Sequence, residues 1–382
     1  MAVSHRERVL MTLDGREPDR VPVDLGGQAW SVVDAPPHGY RGLCNYLGLK
    51  DVSETRRVGS YVVYPTDERI LRRFDVDFRH VRMGEPKREL PDGTVEDCYG
   101  VRWRPTPSRV MYYPIDPPLR GAKKLSEIEE YAKWPDARNS AFLKGKGKEA
   151  KRLREETDYA LVVDLGVARN IFHRYAQLRG FDQWFMDMKL NPELYQALVD
   201  KIFEVNSDLI EAFLNETGEY ADIVCISDDM GSQASPFLSV KGYREYVKPW
   251  FKKRIDLIHK LAPRVKVLYH CCGSVYQLIP EFMDCGVQIL NPIQPLARDM
   301  EPEGLKRNFG TRLCFHGGID TQKLLPFSKP EEVKEQVKRI LGVMAPGGGY
   351  ILAPSHHIQG DVPPENVNTM YTTALEQQII VS

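Results

Sequence analysis

Apolar positions along the chain follow two alternating patterns. In the first they recur at three- and four-residue steps. Leu194, Leu198, Ile202, Val205, Leu209 and Phe213 follow Asn191-Pro192-Glu193, which reads as N-cap, first-turn proline and acidic first turn, and Gly218 is placed to end the helix. Val333, Val337, Ile340 and Leu341 repeat the step behind Ser328 and Glu331, whose spacing predicts a capping box. The second pattern is a short apolar run that stops at a polar residue or glycine. Eight occur: Val21–Leu25, Val76–Val81, Ala160–Asp164, Ile223–Ser227, Val265–His270, Gln288–Asn291, Leu313–His316 and Tyr350–Pro354. Runs without polar alternation are strands buried on both faces, as in parallel sheets. Eight of them between helical segments predict an α/β fold, a closed (β/α)8 TIM barrel with an N-terminal helical extension, rather than an open doubly wound sheet. No G-x-G-x-x-G turn follows a strand, which speaks against dinucleotide binding.

The rhythm breaks twice, and the breaks define insertions in what is otherwise one domain over residues 1–382. One spans about 31–71 and the other about 85–158. In the second, Asp92-Gly93 is a hairpin-turn pair, so 85–120 is expected to be a β-hairpin and 125–158 mostly charged helix. Gly347-Gly348-Gly349 precedes an apolar run and reads as a turn into the last strand rather than a phosphate loop.

Composition narrows the function classes. Hydrophobic residues are 42% and charged residues 27%, as in ordinary globular enzymes. Lys+Arg 52 against Asp+Glu 53 leaves net charge -1, so no global field recruits nucleic acid or anionic membrane. Seven cysteines are too few for a disulfide scaffold, no apolar run approaches a membrane span, and MAVSHRERVLMTLDG carries no signal-peptide core. The expectation is a cytoplasmic enzyme acting on a small molecule.

Barrel enzymes take their chemistry from the C-terminal ends of the strands. The polar groups there are Asp24; Arg79 and His80; Asp164; Asp228 and Asp229; His270 and Cys272; Asn291 and Gln294; His316 and Asp320; and Ser355, His356 and His357. The sharpest feature is Tyr269-His270-Cys271-Cys272-Gly273. Residues i and i+2 of a strand face one way, so His270 and Cys272 present an imidazole and a thiolate to one site, a donor pair that suits zinc. His356 or His357, at the end of the last strand, would complete three protein ligands and leave a fourth position open. Asp228 or Asp229 would act as general base, with only one of the two facing the site. Asp24, Asp164, Asn291, Gln294, His316 and Asp320 are the candidate substrate-binding residues. Arg169 and Arg174 read as solvated charges near a helix start, and His173 as a packed side chain.

Several segments resemble the uroporphyrinogen decarboxylase-like superfamily, in particular its corrinoid-dependent methyltransferase, O-demethylase-like branch. They are Arg6-Glu7-Arg8-Val9, Pro18-Asp19-Arg20-Val21-Pro22-Val23, Ser227-Asp228-Asp229-Met230-Gly231-Ser232-Gln233, His270-Cys271-Cys272-Gly273-Ser274, Gly317-Gly318-Ile319-Asp320-Thr321-Gln322 and Gly347 to Pro354. The resemblance implies a barrel whose mouth holds zinc through an H-x-C motif, matched by His270 and Cys272, and a later cysteine, replaced here by His356. It also implies a separate corrinoid protein as partner and a small-molecule methyl donor, and related barrels are often homodimers. A site with one thiolate is a stronger Lewis acid than one with two, which favours polarising a methyl ether oxygen over activating a bound thiol, so a methoxylated aromatic is the favoured donor. The runner-up is a uroporphyrinogen decarboxylase-type carboxy-lyase acting on a tetrapyrrole or related acid. Its arginine-rich N-terminal segment has no counterpart in Val23-Asp24-Leu25-Gly26-Gly27-Gln28.

Overall fold

The computed structural model describes residues 3–27, 30–51, 56–58, 61–63, 66–107 and 111–377. Seven parallel strands form one curled sheet in strict chain order: Phe78–Arg82, Ala160–Asp164, Ile223–Ser227, Lys266–His270, Ile289–Ile293, Cys314–Ile319 and Tyr350–Pro354. Five of the seven are buried at every residue, which is why their sequences read as unbroken apolar runs. Helices lie between successive strands and cover the outside, giving an α/β TIM-type barrel.

The eighth run, Val21–Leu25, closes the barrel with far less regular pairing than expected. Val23 bridges Leu352; Asp24 N donates to the Leu352 carbonyl at 3.0 Å, and Leu352 N to the Pro22 carbonyl at 2.9 Å. On the other side Asp77 N donates to the Val23 carbonyl at 3.0 Å. The ladder stays short for two reasons. Pro22 has no N–H, and Val23 N donates to the Asp77 carboxylate at 2.8 Å instead of to a strand.

Asp77 is the fastening of this closure. It is fully buried, and its carboxylate also accepts from Arg8 Nη1 and Arg20 Nη1, each at 2.7 Å. Arg8 sits on the N-terminal helix His5–Leu13, so one carboxylate ties helix, eighth stave and first strand together.

The helix Pro192–Thr217 buries Leu194, Leu198, Ile202, Val205, Leu209 and Phe213 on one face and has its proline at the first turn. Asn191 does not cap it; its amide Nδ2 turns back to donate to Asp187 Oδ1. The helix Pro330–Met344 starts one residue later than expected: Glu332, not Glu331, accepts from the N-cap N–H, which belongs to Lys329, not Ser328. The expected hairpin is a four-stranded antiparallel meander, Lys87–Glu89, Val95–Asp97, Arg102–Pro105 and Tyr112–Ile115, with Asp92-Gly93 at its first turn. Residues 125–158 hold two α-helices, Leu125–Glu129 and Lys146–Glu156, and a short 3-10 helix, Ser140–Phe142, with Asp136, Asn139 and Gly145 in the turns that divide them. The 31–71 insertion contains helix Gly39–Tyr46, and its residues 52–55, 59–60 and 64–65 lie outside the described residues. Among the described residues no helix is long and apolar enough to cross a membrane.

Replacing Asp77 by Ala would take one carboxylate from each of two buried guanidinium groups, leaving Arg8 with Asp19 and Arg20 with Asp75, and would leave one backbone N–H unpaired. The expected loss is about 2–4 kcal/mol of unfolding free energy in urea titrations. A loss below roughly 1 kcal/mol would show that the closure does not depend on this carboxylate.

Candidate metal centre

Two strand ends meet in the barrel mouth. His270 is the last residue of its strand, Cys272 lies two residues on, and His356 follows the final strand. Their ligand atoms lie within 4.8 Å of one another, with Cys272 Sγ 3.5 Å from His270 Nε2. Among the described residues this is the one cluster of histidine, cysteine and carboxylate groups with metal-holding geometry. One sulfur and two nitrogens fit zinc, and three protein ligands leave a fourth position open. The turn after Cys272 depends on Gly273: its φ of 91° is left-handed, and an added Cβ would collide with the Gly231 carbonyl oxygen. Cys271 faces the other way, buried, where its sulfur accepts from Met230 N.

Burial governs the protonation of the three. It pushes His270 down to about 4 and lowers His356, so both imidazoles are neutral donors at pH 7. It pushes the Cys272 thiol far up, so a metal binding here must displace that proton.

Behind His270 runs a buried chain of hydrogen bonds. His270 Nδ1 meets Asn291 Oδ1 at 2.5 Å, Asn291 Nδ2 meets His316 Nδ1 at 2.7 Å, and His316 Nε2 meets Asp24 Oδ2 at 3.0 Å. His80 Nε2 reaches the other Asp24 oxygen at 2.9 Å. Burial alone would raise the Asp24 pKa, but the charge of His80 and the hydrogen bonds from His316 and His80 outweigh it and hold it well below the usual range. An ionised carboxylate only accepts. His316 must therefore carry its proton on Nε2 and accept at Nδ1; the amide donates through Nδ2 and accepts through Oδ1. His270 is left with its proton on Nδ1 and its lone pair on Nε2, facing Cys272. The strand register supports this geometry, because pairing slips between Leu290 and Ile293 at Asn291-Pro292.

The two aspartates separate cleanly. Asp228 is fully buried and accepts from the N–H groups of Ile171, Phe172 and His173 at 2.9–3.0 Å, closing the start of helix Phe172–Arg179. Asp229 lines the cavity; its Oδ1 accepts from Cys272 N at 2.8 Å and its Oδ2 lies 3.6 Å from His173 Nε2. Burial raises its pKa, but His173 and the Cys272 N–H act against burial and the balance lowers it, as a base requires.

The remaining candidates take other places. Asp24, Asn291 and His316 stand behind His270. Asp164 is held by Arg82 Nη1 at 2.7 Å and Gly166 N at 2.8 Å, and Gln294 accepts from Gly273 N at 2.6 Å. Asp320 accepts from three N–H groups at the start of helix Leu324–Phe327 and borders a separate outer hollow. His357 also lines the cavity, and its Nδ1 is 3.0 Å from Ser31 Oγ. Arg169, Arg174 and His173, read from sequence as surface or packing residues, line the cavity too. Its volume is about 660 Å³, and the meander supplies one wall through Trp103, Tyr112 and Tyr113.

Asp24→Asn removes the charge that sets the direction of the chain, since an amide both donates and accepts. Zinc affinity by chelator competition is expected to fall roughly tenfold or more, with the three ligands untouched. Unchanged affinity would separate the chain from metal binding.

Comparison with known proteins agrees with the fold. The uroporphyrinogen decarboxylase (URO-D) family model matches residues 116–377. A uroporphyrinogen decarboxylase from Hahella chejuensis is 28% identical over 178 residues, covering 46% of each chain, and one from Chlorobium luteolum is 25% identical over 195 residues, covering 50% of this chain and 51% of its own. The chain thus spans about half the length of the curated relatives it matches. Among solved structures, a methyltransferase from Methanosarcina mazei superposes over 98% of both chains with TM-score 0.61 at 18% identity, a likeness of fold. The chain belongs to the uroporphyrinogen decarboxylase (URO-D) family of enzymes.

Proposed function

We propose that the protein is a zinc-dependent methyltransferase that moves a methyl group between a small donor, a methoxylated aromatic above all, and the cobalt of a separate corrinoid protein. The observation that carries this reading is the His270, Cys272 and His356 trio on the wall of a cavity large enough for a substituted benzene ring. Bound zinc would supply Lewis-acid polarisation of a substrate oxygen. The chain's own residues do the rest. Asn291 keeps the His270 lone pair aimed at the metal position. Asp229, ionised and adjacent, is placed to accept the proton of a substrate hydroxyl when the oxygen is methylated; in the demethylating direction the oxygen leaves as an anion and takes its proton from water. Trp103, Tyr112 and Tyr113 form an aromatic wall beside the ring. Tyr113 and Phe181, at 45% and 50% exposure, put apolar surface at the mouth where a partner protein would dock.

The family membership favours a second reading, decarboxylation of a tetrapyrrole or related acid. Against it, the arginines nearest the N-terminal stave are committed elsewhere: Arg8 and Arg20 both pair with Asp77. Decarboxylation also has no use for a nitrogen–sulfur metal trio.

Purified protein is expected to hold about one zinc per chain and to form methylcobalamin from cob(I)alamin and a methoxylated arene. Cys272→Ala should lose both the metal and the activity. Full activity in that variant, or stepwise loss of carboxylates from uroporphyrinogen with wild-type protein, would overturn the methyltransferase reading.

A further inference from the structure

Among the described residues, one arginine in the cavity wall makes no ion pair. Arg82 is paired with Asp164 and Glu85, Arg174 with Asp97 at 2.8 Å, and Arg120 with Asp182 at 2.6 Å. Arg169 lines the same cavity, yet its Nη1 is buried with no hydrogen-bond partner among the described residues. The carboxylates whose charge reaches it, Asp164 and Glu85, are those already engaged by Arg82. Burial, with the like charge of Arg82, outweighs those carboxylates and pulls its pKa down. A buried donor left unsatisfied is costly, and a native structure that keeps one at a cavity wall points to a ligand that satisfies it.

The guanidinium is presented from a fixed base. The Arg169 carbonyl accepts from Ser227 N at 3.0 Å and from Arg254 Nη1 at 2.5 Å, so its backbone is tied to the neighbouring strand end. Arg169 lines the same cavity of about 660 Å³ as His270 and His356. A ligand that touches both Arg169 and the trio therefore fits within that cavity, with an anionic group at one end and the reacting oxygen at the other. The aromatic wall of Trp103, Tyr112 and Tyr113 suits a flat ring between those ends.

We propose that Arg169 forms an anion subsite that binds the carboxylate of an aromatic methyl donor, so that the substrate class is a methoxybenzoate rather than a neutral methoxyarene or an aliphatic alcohol. The inference rests on the methyltransferase reading for the word donor, while the anion subsite stands on Arg169 itself. A bidentate guanidinium–carboxylate pair would fix the ring in the cavity and set which substituent faces the metal position.

The test is calorimetric binding to the full-length purified chain, independent of turnover. The probes are 4-methoxybenzoate, methoxybenzene and 2-mercaptoethanesulfonate. Wild type is expected to bind 4-methoxybenzoate at least about tenfold more tightly than methoxybenzene, the size of one charge-assisted hydrogen-bonded contact. Arg169→Met should erase that preference and Arg169→Lys keep part of it, with zinc content and thermal melting unchanged in both. The proposal is overturned if Arg169→Met retains the preference, if wild type binds no probe, or if 2-mercaptoethanesulfonate binds more tightly than 4-methoxybenzoate. An Arg169-dependent preference without methyl transfer to cob(I)alamin would uphold the subsite and refute the methyltransferase reading. Methyl transfer from methoxybenzene as efficient as from 4-methoxybenzoate would do the reverse.

Discussion

The metal-facing histidine of the barrel mouth, His270, is oriented by a carboxylate that never reaches the mouth. Asp24 is buried, ionised and held by two histidines, and an ionised carboxylate can only accept. From that one constraint the proton positions of His316, the Asn291 amide and His270 follow in turn, and the lone pair of His270 arrives at Nε2 beside Cys272. Chains of this kind are worth more in a low-dielectric interior than in water, and costly if any member is missing. The same stave that carries Asp24 is fastened to the barrel through Val23 N and Asp77. Closing the barrel and aiming the ligand are therefore consequences of the same short segment.

Much of the architecture was legible in sequence because strands buried on both faces leave no polar alternation, and the seven regular strands coincide with apolar runs to within two or three residues. The eighth was harder. Val21–Leu25 is apolar enough to be a strand, but Pro22 and the side-chain bond to Val23 N shorten its ladder, and neither effect shows in a hydropathy pattern. The charged stretch 125–158 was read too simply, since helix propensity does not register the turn at Asp136 and Asn139 that divides it.

The site was partly legible for a related reason. Period-two geometry at a strand end placed His270 and Cys272 together, and the barrel rule brought His356 to the same rim. A strand end, however, says only that a polar side chain lies near the mouth. It does not say whether backbone N–H groups will claim it, as they claim Asp228 and Asp320. Nor does it reach the loop that follows. Arg169 and His173 sit past the second regular strand, where side-chain direction depends on a 3-10 turn and on the helix start fixed by Asp228. Their roles emerge only when the neighbouring strand is in place.

Family and chemistry thus come from different parts of the molecule. The family match reflects the barrel frame, which supports many reactions, while the reaction is decided by what the strand ends hold. The central claim, that this mouth is a metal centre with one sulfur and two imidazole nitrogens, is tested most directly by zinc K-edge X-ray absorption of the purified protein. The account predicts stoichiometric zinc with one sulfur at about 2.3 Å and two nitrogens at about 2.0 Å, the remaining shell being a light atom. A protein that takes up no zinc, or holds it with no sulfur in the shell, would contradict the account.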